Sequence, residues 1–340
     1  MPVLRLETTD PYLNLALEEY LLDSIDEWGP TLVLWVNDPC VVIGRHQNPW
    51  VECDLRSMRR DGLPLVRRIS GGGAVYHDSG NTNFSFIAPA SGYDQERHFA
   101  VVIAGLAALG ITAWKTERND LRVGERKISG NAFRHTKGHS LHHGTLLVHA
   151  DLDHLTAYLA PSGALIETKA TASVRSRVMN LREERADLTH ESLWDALERA
   201  FVAEYGATPA GHAAREDGAV RTADAERASS VDPARITARP ETRARARELR
   251  SWEWLYGHTP SFVRRLRLGR ARPAREIAIT VKRGVIADVR SVDSVEPEEE
   301  AVSRLRDTLA GIRYDRDAVL EAAPAGEAGA IVRSIAEAID

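Results

Sequence analysis

Two arginines, a serine and three glycines crowd into Arg67–Gly73, at the head of the stretch RRISGGGAVYHDSGNTNFSF. Glycine lacks a Cβ, so consecutive glycines leave bare backbone that another molecule can approach closely. Arginine keeps its charge and matches phosphate and carboxylate geometry. Backbone N–H groups beside fixed cations make a cradle for an anion. The competing reading is a flexible turn between LPLV and AVYH. The pattern is neither G-x-x-x-x-G-K-[ST] nor G-x-G-x-x-G, which excludes the P-loop and dinucleotide fingerprints. A second stretch, VGERKISGNAFR, sets Lys127 between two glycine-containing turns, where an ammonium acts as a point charge for a phosphate. In a third, TASVRSRVMNL, Arg175 and Arg177 alternate with valines. It reads either as a solvated polar loop or as a clamp that adds two cations.

Bulk composition bounds what these stretches can serve. The chain has 340 residues, 43% hydrophobic and 27% charged, with room for two domains. A net charge of −5 offers nucleic acid no general attraction, so any phosphate recognition is local. The two cysteines, Cys40 and Cys53, form no C-x-x-C, which argues against a disulfide framework or a zinc site. A reducing cytoplasm is the expected compartment. The N-terminus carries early acids and no long apolar core, unlike a signal peptide. No run of about 18 apolar residues suits a membrane helix.

The elements that must position the motifs follow from periodicity. YLNLALEEYLLDSI is a helix with Thr9 or Asp10 as its cap. TLVLWV, CVVIG and FSFIA are strands, the first two separated by NDP. HFAVVIAGLAALG is a helix closed by Gly110, and HESLWDALERAFVAEYG one closed by Gly206. SLHHGTLLVHADL is a strand, so the adjacent His142 and His143 point to opposite faces and do not share a metal. His143, beside Gly144, is expected to line a pocket. From 207 to 247 Ala, Arg, Asp and Glu dominate, which reads as a linker, partly disordered or partly helical. Order resumes at SWEWLYGHTPSF, and EIAITVKRGVIADVRSV is expected to form two strands around a Lys-Arg-Gly turn. The expected organisation is a catalytic domain over 1–206, a linker over 207–247 and a small α+β domain over 248–340.

RRISGGGAVYHDSGNTNFSF, RNDLRVGERKISGNAFR, LHHGTLLVHADL and SVRSRVMNL resemble the successive motifs of the lipoate–protein ligase A family. NLALEEY and VVIGRHQNPWVEC do so upstream, and SWEWLYGHTPSF is similar to the opening of that family's C-terminal accessory domain. The 207–247 segment is long for the family.

The resemblance implies an α+β fold: a mixed-sheet catalytic domain of the class II synthetase and biotin-ligase type, plus the small accessory domain. It implies activation of lipoate by ATP and Mg²⁺ to lipoyl-AMP, then transfer to a lysine of a lipoyl domain. The acceptors would be 2-oxo acid dehydrogenase subunits or the glycine-cleavage carrier protein, and the enzyme would be a cytoplasmic monomer. Lys127 is the implied catalytic residue. Implied ATP and adenylate contacts are Arg68, Ser70, Gly72, Gly73, Ala74, Val75, Tyr76, Asn119, Lys127 and Arg175. Implied lipoate contacts are Trp35, Arg68, Val75, Lys127, His143 and Gly144. Val178 is a further candidate wall for the dithiolane, Trp35 fits core packing equally well, and Asp120 is the implied magnesium ligand. The alternative is an octanoyl or lipoyl carrier-protein transferase of the same superfamily, which would need a placed cysteine nucleophile.

Overall fold

The computed structural model describes residues 1–160, 165–206, 232–268, 275–292 and 298–339. The chain opens on β1 (Val3–Arg5) and the helix Pro11–Asp23. Asp10 is the cap: its carboxylate accepts from Tyr12 N and Leu13 N, and Pro11 begins the first turn. Then come β2 (Thr31–Trp35), β3 (Cys40–Ile43), β4 (Leu65–Arg67), β5 (Val75–His77) and β6 (Asn81–Pro89). The helix Gln95–Ala108 precedes β7 (Trp114–Lys115), β8 (Leu121–Val123), β9 (Arg126–Ser129), β10 (Asn131–His135) and β11 (His139–Leu147). β12 (Ile166–Thr168) and the helix His190–Gly206 follow. The last part holds β13 (Phe262–Leu268), β14 (Arg275–Lys282), β15 (Val285–Ser291) and the helices Glu298–Leu309, Arg316–Glu321 and Gly326–Ile339. The fold is α+β. Among the described residues no helix is long and apolar enough to cross a membrane.

The main sheet has the order β1-β2-β6-β11-β10 and is covered on both faces. That double burial explains why TLVLWV is apolar throughout rather than alternating. Leu32 and Leu34 pack with Phe84, Phe86 and the helices Gln95–Ala108 and His190–Gly206. Val33 and Trp35 pack with Ile87, Leu141 and the helix Pro11–Asp23. Two small sheets, β4-β3-β5 and β7-β8-β9, carry the glycine loop and Lys127. The Lys-Arg-Gly turn is present: Arg283 and Gly284 have φ of 52° and 72°, and β14 pairs with β15.

Residues 233–247, read by composition as the end of a partly helical linker, lie in the helices Pro233–Ala238 and Pro240–Leu249, and the second helix runs past the expected boundary at 247. Few large apolar residues sufficed, because Ile236 and Leu249 bury against the helix Pro11–Asp23 and Arg245 pairs with Glu19 at 2.7 Å. The rest of that segment, 207–231, lies outside the described residues. The sheet of the small domain also begins in the catalytic part, since β12 pairs antiparallel with β13. A three-residue strand far away in sequence carries no periodic signal.

Buried histidines make stability depend on pH. His98 stacks on Phe86 at 4.5 Å, and His142 packs on Phe133 at 4.5 Å. Burial lowers the pKa of His98 to about 4 and that of His142 well below 6.5. Between the unfolded and folded values the unfolded chain binds more protons, so stability is lost as pH falls through that window. Each histidine contributes up to about 1.4 kcal/mol per pH unit there. The urea midpoint is therefore expected to drop between about pH 6.5 and pH 4, and His98→Phe to flatten that slope.

Candidate active site

Directly opposed residues in a sheet share a face. The register sets Trp35 opposite Asn83, Ser85 opposite His143 and Asn83 opposite Thr145. These side chains project from the face that the helix Pro11–Asp23 covers, and those of Trp35, Asn83, His143 and Thr145 line a cavity of about 380 Å³. Its inner end is made by the buried Leu15, Trp35, Val42, His77, Asn83 and His143. Toward solvent it is lined by Arg118, Asp120, Arg122, Lys127 and Arg175, with the glycine loop Gly72–Val75 along one wall. A second cavity of about 230 Å³ shares Ala74, Val75, Lys127, Gly130, Thr145 and Ser173–Ser176 with the first. Its other walls include Tyr76, Leu147, Leu155, Leu159 and Val178. The two lobes meet at Lys127.

Lys127 sits on β9 and is anchored through its backbone. Its N–H donates to Arg177 O at 2.8 Å, and its carbonyl accepts from Met179 N at 3.0 Å. Its ammonium lies 2.8 Å from Asp120 Oδ1, and both side chains are largely shielded, 22% and 16% exposed. A Cβ at Gly130 would make ordinary van der Waals contact, at 3.4 Å, with Lys127 Cε and Nζ, so the end of the lysine lies directly over this glycine.

Arg68 shapes the glycine loop from behind. Its Nη2 donates to Gly71 O at 2.6 Å and Gly73 O at 2.8 Å, its Nη1 to Val42 O at 3.2 Å and its Nε to Ser70 Oγ at 3.0 Å. The charge faces the cavity, yet these donors are committed to the protein, two of the four bonds going to loop carbonyls. Burial lowers its pKa to about 10. The counter-charge is Glu18, 1% exposed. Glu18 accepts from Ser85 Oγ at 2.5 Å and from His143 Nδ1 at 2.9 Å, while His143 Nε2 lies 2.6 Å from Ser70 Oγ. A single buried chain thus runs from carboxylate to imidazole to hydroxyl to guanidinium.

Across the cavity, the segment Thr171–Ser176 meets the glycine loop. Ser173 Oγ accepts from Ala74 N at 2.9 Å and from Gln47 Nε2 at 3.0 Å, and Ser173 N donates to Glu52. The serine hydroxyl therefore occupies one of the loop N–H groups that an anion would use.

Of the residues expected at the site, Trp35, Arg68, Gly72, Gly73, Ala74, Val75, Asp120, Lys127, His143, Gly144 and Arg175 line the first lobe. Tyr76 faces the second lobe, as does Val178, which is therefore not a wall of the inner end. Ser70 stands behind the wall, joined to Arg68 and His143. Asn119 does not line either lobe; it takes a left-handed φ of 63°, and its carbonyl accepts from Asn131 Nδ2. Arg177 is exposed and meets Lys127 through its carbonyl only, so the expected second cation of the clamp is not at the cavity. Arg67, read as part of the anion cradle, turns the other way and donates to Leu255 O and Thr259 Oγ1. Glu18, Asn83, Thr145 and Ser173 were not foreseen. Glu18 had a signal, a polar residue on the apolar face of an amphipathic helix.

A family profile described as "Lipoyl protein ligase A/B catalytic domain" matches residues 10–202. The chain is also 38% identical over 314 residues to Lipoate-protein ligase A of Psychrobacter cryohalolentis, covering 92% of this chain and 89% of that one. The chain belongs to the lipoate–protein ligase family. Among solved structures the ligase is similar to P. falciparum LipL1 in complex with lipoate, with a TM-score of 0.62, 27% identity and 98% of each chain covered. A lipoate-protein ligase A bound with ATP matches with a TM-score of 0.55 and 31% identity, over 73% of this chain and 93% of that one. A putative lipoate protein ligase from T. acidophilum with bound lipoic acid matches with a TM-score of 0.56 and 29% identity, over 75% and 98% of the two chains.

A transferase route through a cysteine thioester needs a reactive thiolate at the cavity. Neither cysteine of the ligase lines a lobe, and both are buried. Burial pushes both thiols far above their ordinary value. The native protein is therefore expected to resist a maleimide or disulfide reagent at neutral pH, with both thiols reacting after unfolding. Rapid labelling of Cys40 or Cys53 with loss of acyl transfer would reopen the thioester route.

Proposed function

We propose that the protein is an ATP-dependent lipoate–protein ligase acting in two steps. A lipoate carboxylate oxygen attacks the α-phosphorus of ATP, the bond to the β-phosphate breaks, and pyrophosphate leaves. The amine of an acceptor lysine then attacks the acyl carbon, the bond to AMP breaks, and the amine proton passes to solvent as the amide forms. The observation that carries this reading is the two-lobed cavity joined at Lys127. One lobe has a buried inner end, with Leu15, Trp35 and Val42 as an apolar wall suited to an acyl chain. The other has an aromatic and aliphatic lining suited to a purine, and the reacting groups would meet at the ammonium.

Each part of the cavity has a role in that chemistry. Negative charge grows on the α-phosphate in the first step, so fixed donors around it lower the barrier. Lys127 would hold the phosphate and the acyl oxygen together, with Arg175 at the rim. The N–H groups of Gly72–Val75 would bind phosphate oxygens once Ser173 releases Ala74. Arg68 would keep the loop in register for them, and Asp120 would hand the ammonium over as ATP arrives.

Magnesium fits the residues present. Among the described residues Asp120 is the only acidic residue along the first lobe, and no cluster of three metal-ligating side chains occurs. Magnesium carried by a nucleotide needs only one or two protein carboxylates. Bound with ATP, it would neutralise triphosphate charge.

The acceptor is a lipoyl domain, of a 2-oxo acid dehydrogenase subunit or of the glycine-cleavage carrier. A bi-partite lipoate ligase from Thermoplasma acidophilum, 29% identical to this chain, was solved in a study of that ligase and its E2 lipoyl domain. The test incubates the full chain with ATP, magnesium, lipoate and a candidate lipoyl domain, following pyrophosphate and the acceptor's mass. Pyrophosphate release and one lipoyl group added at a lysine are expected. Transfer from a lipoylated carrier without ATP would favour the transferase instead.

A further inference from the structure

The inner end of the first lobe holds two buried polar groups with no protein partner among the described residues, His77 Nε2 and Asn83 Nδ2. The two residues are 4% and 2% exposed.

The proton on His77 is placed by a chain of hydrogen bonds that starts at the N-terminal helix. Asn14 Nδ2 lies 3.0 Å from Thr8 O and 3.2 Å from Val36 O, and backbone carbonyls only accept. The same nitrogen lies 3.0 Å from Asn37 Oδ1, so Asn37 turns its carbonyl to Asn14 and its amide nitrogen to His77. That nitrogen donates to His77 Nδ1 at 3.0 Å, which leaves the ring proton on Nε2. Burial keeps the ring neutral, lowering its pKa to about 3. Asn83 Oδ1 accepts from Asn81 Nδ2 at 3.0 Å, which turns the Asn83 amide nitrogen to the cavity.

Of the remaining inner wall, His143 is already paired with Glu18 and Ser70, and the rest is apolar and aromatic. Trp35 meets the His77 ring edge-on at 6.3 Å, with Leu15 and Val42 alongside. A plain alkyl tail pushed into this end would strand two buried donors, which is costly. A tail that carries soft acceptor atoms would meet them, and divalent sulfur also packs well against aromatic rings.

We propose that His77, assisted by Asn83, is the specificity-determining residue for the acyl tail and selects a chain ending in sulfur acceptors, the dithiolane of lipoate, over a plain alkyl chain such as octanoate. This rests on the ligase reading above. Sulfur is a weak acceptor, so the preference is moderate, about ten-fold in kcat/KM. Donors left unpaired by the wrong substrate, rather than a clash, produce the discrimination.

The test measures kcat/KM for lipoate and octanoate by pyrophosphate release in the full chain. Three forms are compared: wild type, His77→Phe, which keeps a ring without a donor, and His77→Gln, which keeps a donor without a ring. Wild type should favour lipoate by about ten-fold. His77→Phe should bring the ratio to within about two-fold, through a fall for lipoate and a rise for octanoate, and His77→Gln should retain most of the preference. A wild-type ratio near one, or an unchanged ratio in His77→Phe, would overturn the proposal. Nitrogen-15 spectroscopy of the wild-type imidazole gives a second readout that needs no variant. A proton on Nε2 whose resonance moves with lipoate and not with octanoate is expected; a proton on Nδ1, or equal responses, would overturn it. Wild type that releases no pyrophosphate with either acid would instead defeat the ligase reading itself.

Discussion

Lys127→Ala is expected to abolish lipoyl-AMP formation while leaving the protein folded. Among the described residues Lys127 is the only lysine along either lobe, and it stands where the two lobes meet. Losing one fixed donor to a developing oxyanion costs about 3–4 kcal/mol, or on the order of 10²–10³ in rate. Lys127 would serve two oxygens at once, the phosphate's and the acyl group's, so the loss should reach the upper end of that range. The folded state has less at stake. The side chain is partly exposed and its ion pair is with Asp120, at 2.8 Å. An exposed pair contributes at most about 1 kcal/mol, and this largely shielded one somewhat more, still short of the stability of a whole domain. Asp120 would keep cationic neighbours, since Arg118 and Arg122 line the same lobe. Pyrophosphate release with lipoate and a thermal melt on the same sample check both halves. Near-normal adenylation in a folded Lys127→Ala protein would remove the assignment of the cavity.

How much of this site could be read from the residues depends on where each interaction lies in the chain. The glycine loop, Lys127 and the histidine pair His142–His143 were legible because each is a local pattern whose chemistry follows from adjacent residues. The opposite facing of the two histidines came directly from strand alternation: His142 joins the Phe86 and Phe133 layer, and His143 joins Glu18. The partners that tune these groups were not legible. Glu18 reaches His143 across 125 positions, and Gln47 reaches Ser173 across 126. Such contacts arise only when the sheet order is known. The arginines show the same limit from another side. Arg67 and Arg68 are neighbours of identical type in a strand end, so their side chains must diverge. Composition cannot say which of them faces the cavity. The fold decides it, sending Arg68 to the glycine loop and Arg67 to the neck of the small domain. The same reasoning explains the linker. A segment poor in large apolar residues looks unable to pack, yet a few buried contacts and the Arg245–Glu19 pair hold Pro240–Leu249 on the N-terminal helix.

Arg67→Ala is expected to give the largest loss of stability from any single exchange outside the hydrophobic core. Its side chain is fully buried, with 0% exposure, and burial lowers its pKa to about 10. Among the described residues no carboxylate pairs with it; oxygen acceptors from two parts of the chain do. Nη1 donates to Gly44 O at 3.2 Å and to Arg45 O and Gln47 O at 2.9 Å. Nε and Nη2 donate to Leu255 O at 2.8 and 2.6 Å, and Nη2 also reaches Thr259 Oγ1 at 2.9 Å. The contact is returned by Trp254, whose Nε1 donates to Arg67 O at 2.7 Å. Truncation to alanine would leave several buried acceptors without donors and open a cavity between the loop at 44–47 and the segment at 254–259. Breaking such a buried charged network costs at least about 3 kcal/mol. Lysine would not rescue it, because an ammonium has three donors at one point and cannot span both groups of carbonyls. Because Arg67 ends the strand β4 that leads into the glycine loop, and ties it to the segment after residue 250, the damage should also reach the chemistry. Urea unfolding should show a lower midpoint for Arg67→Ala and Arg67→Lys alike, and limited proteolysis should cut first near residues 250–260. Adenylation should fall further than the folded fraction alone predicts, since Arg68 is the next residue and shapes the loop that receives ATP. A variant as stable as wild type, with cleavage sites unchanged, would show that the neck is held by Trp254 and its apolar neighbours rather than by the guanidinium.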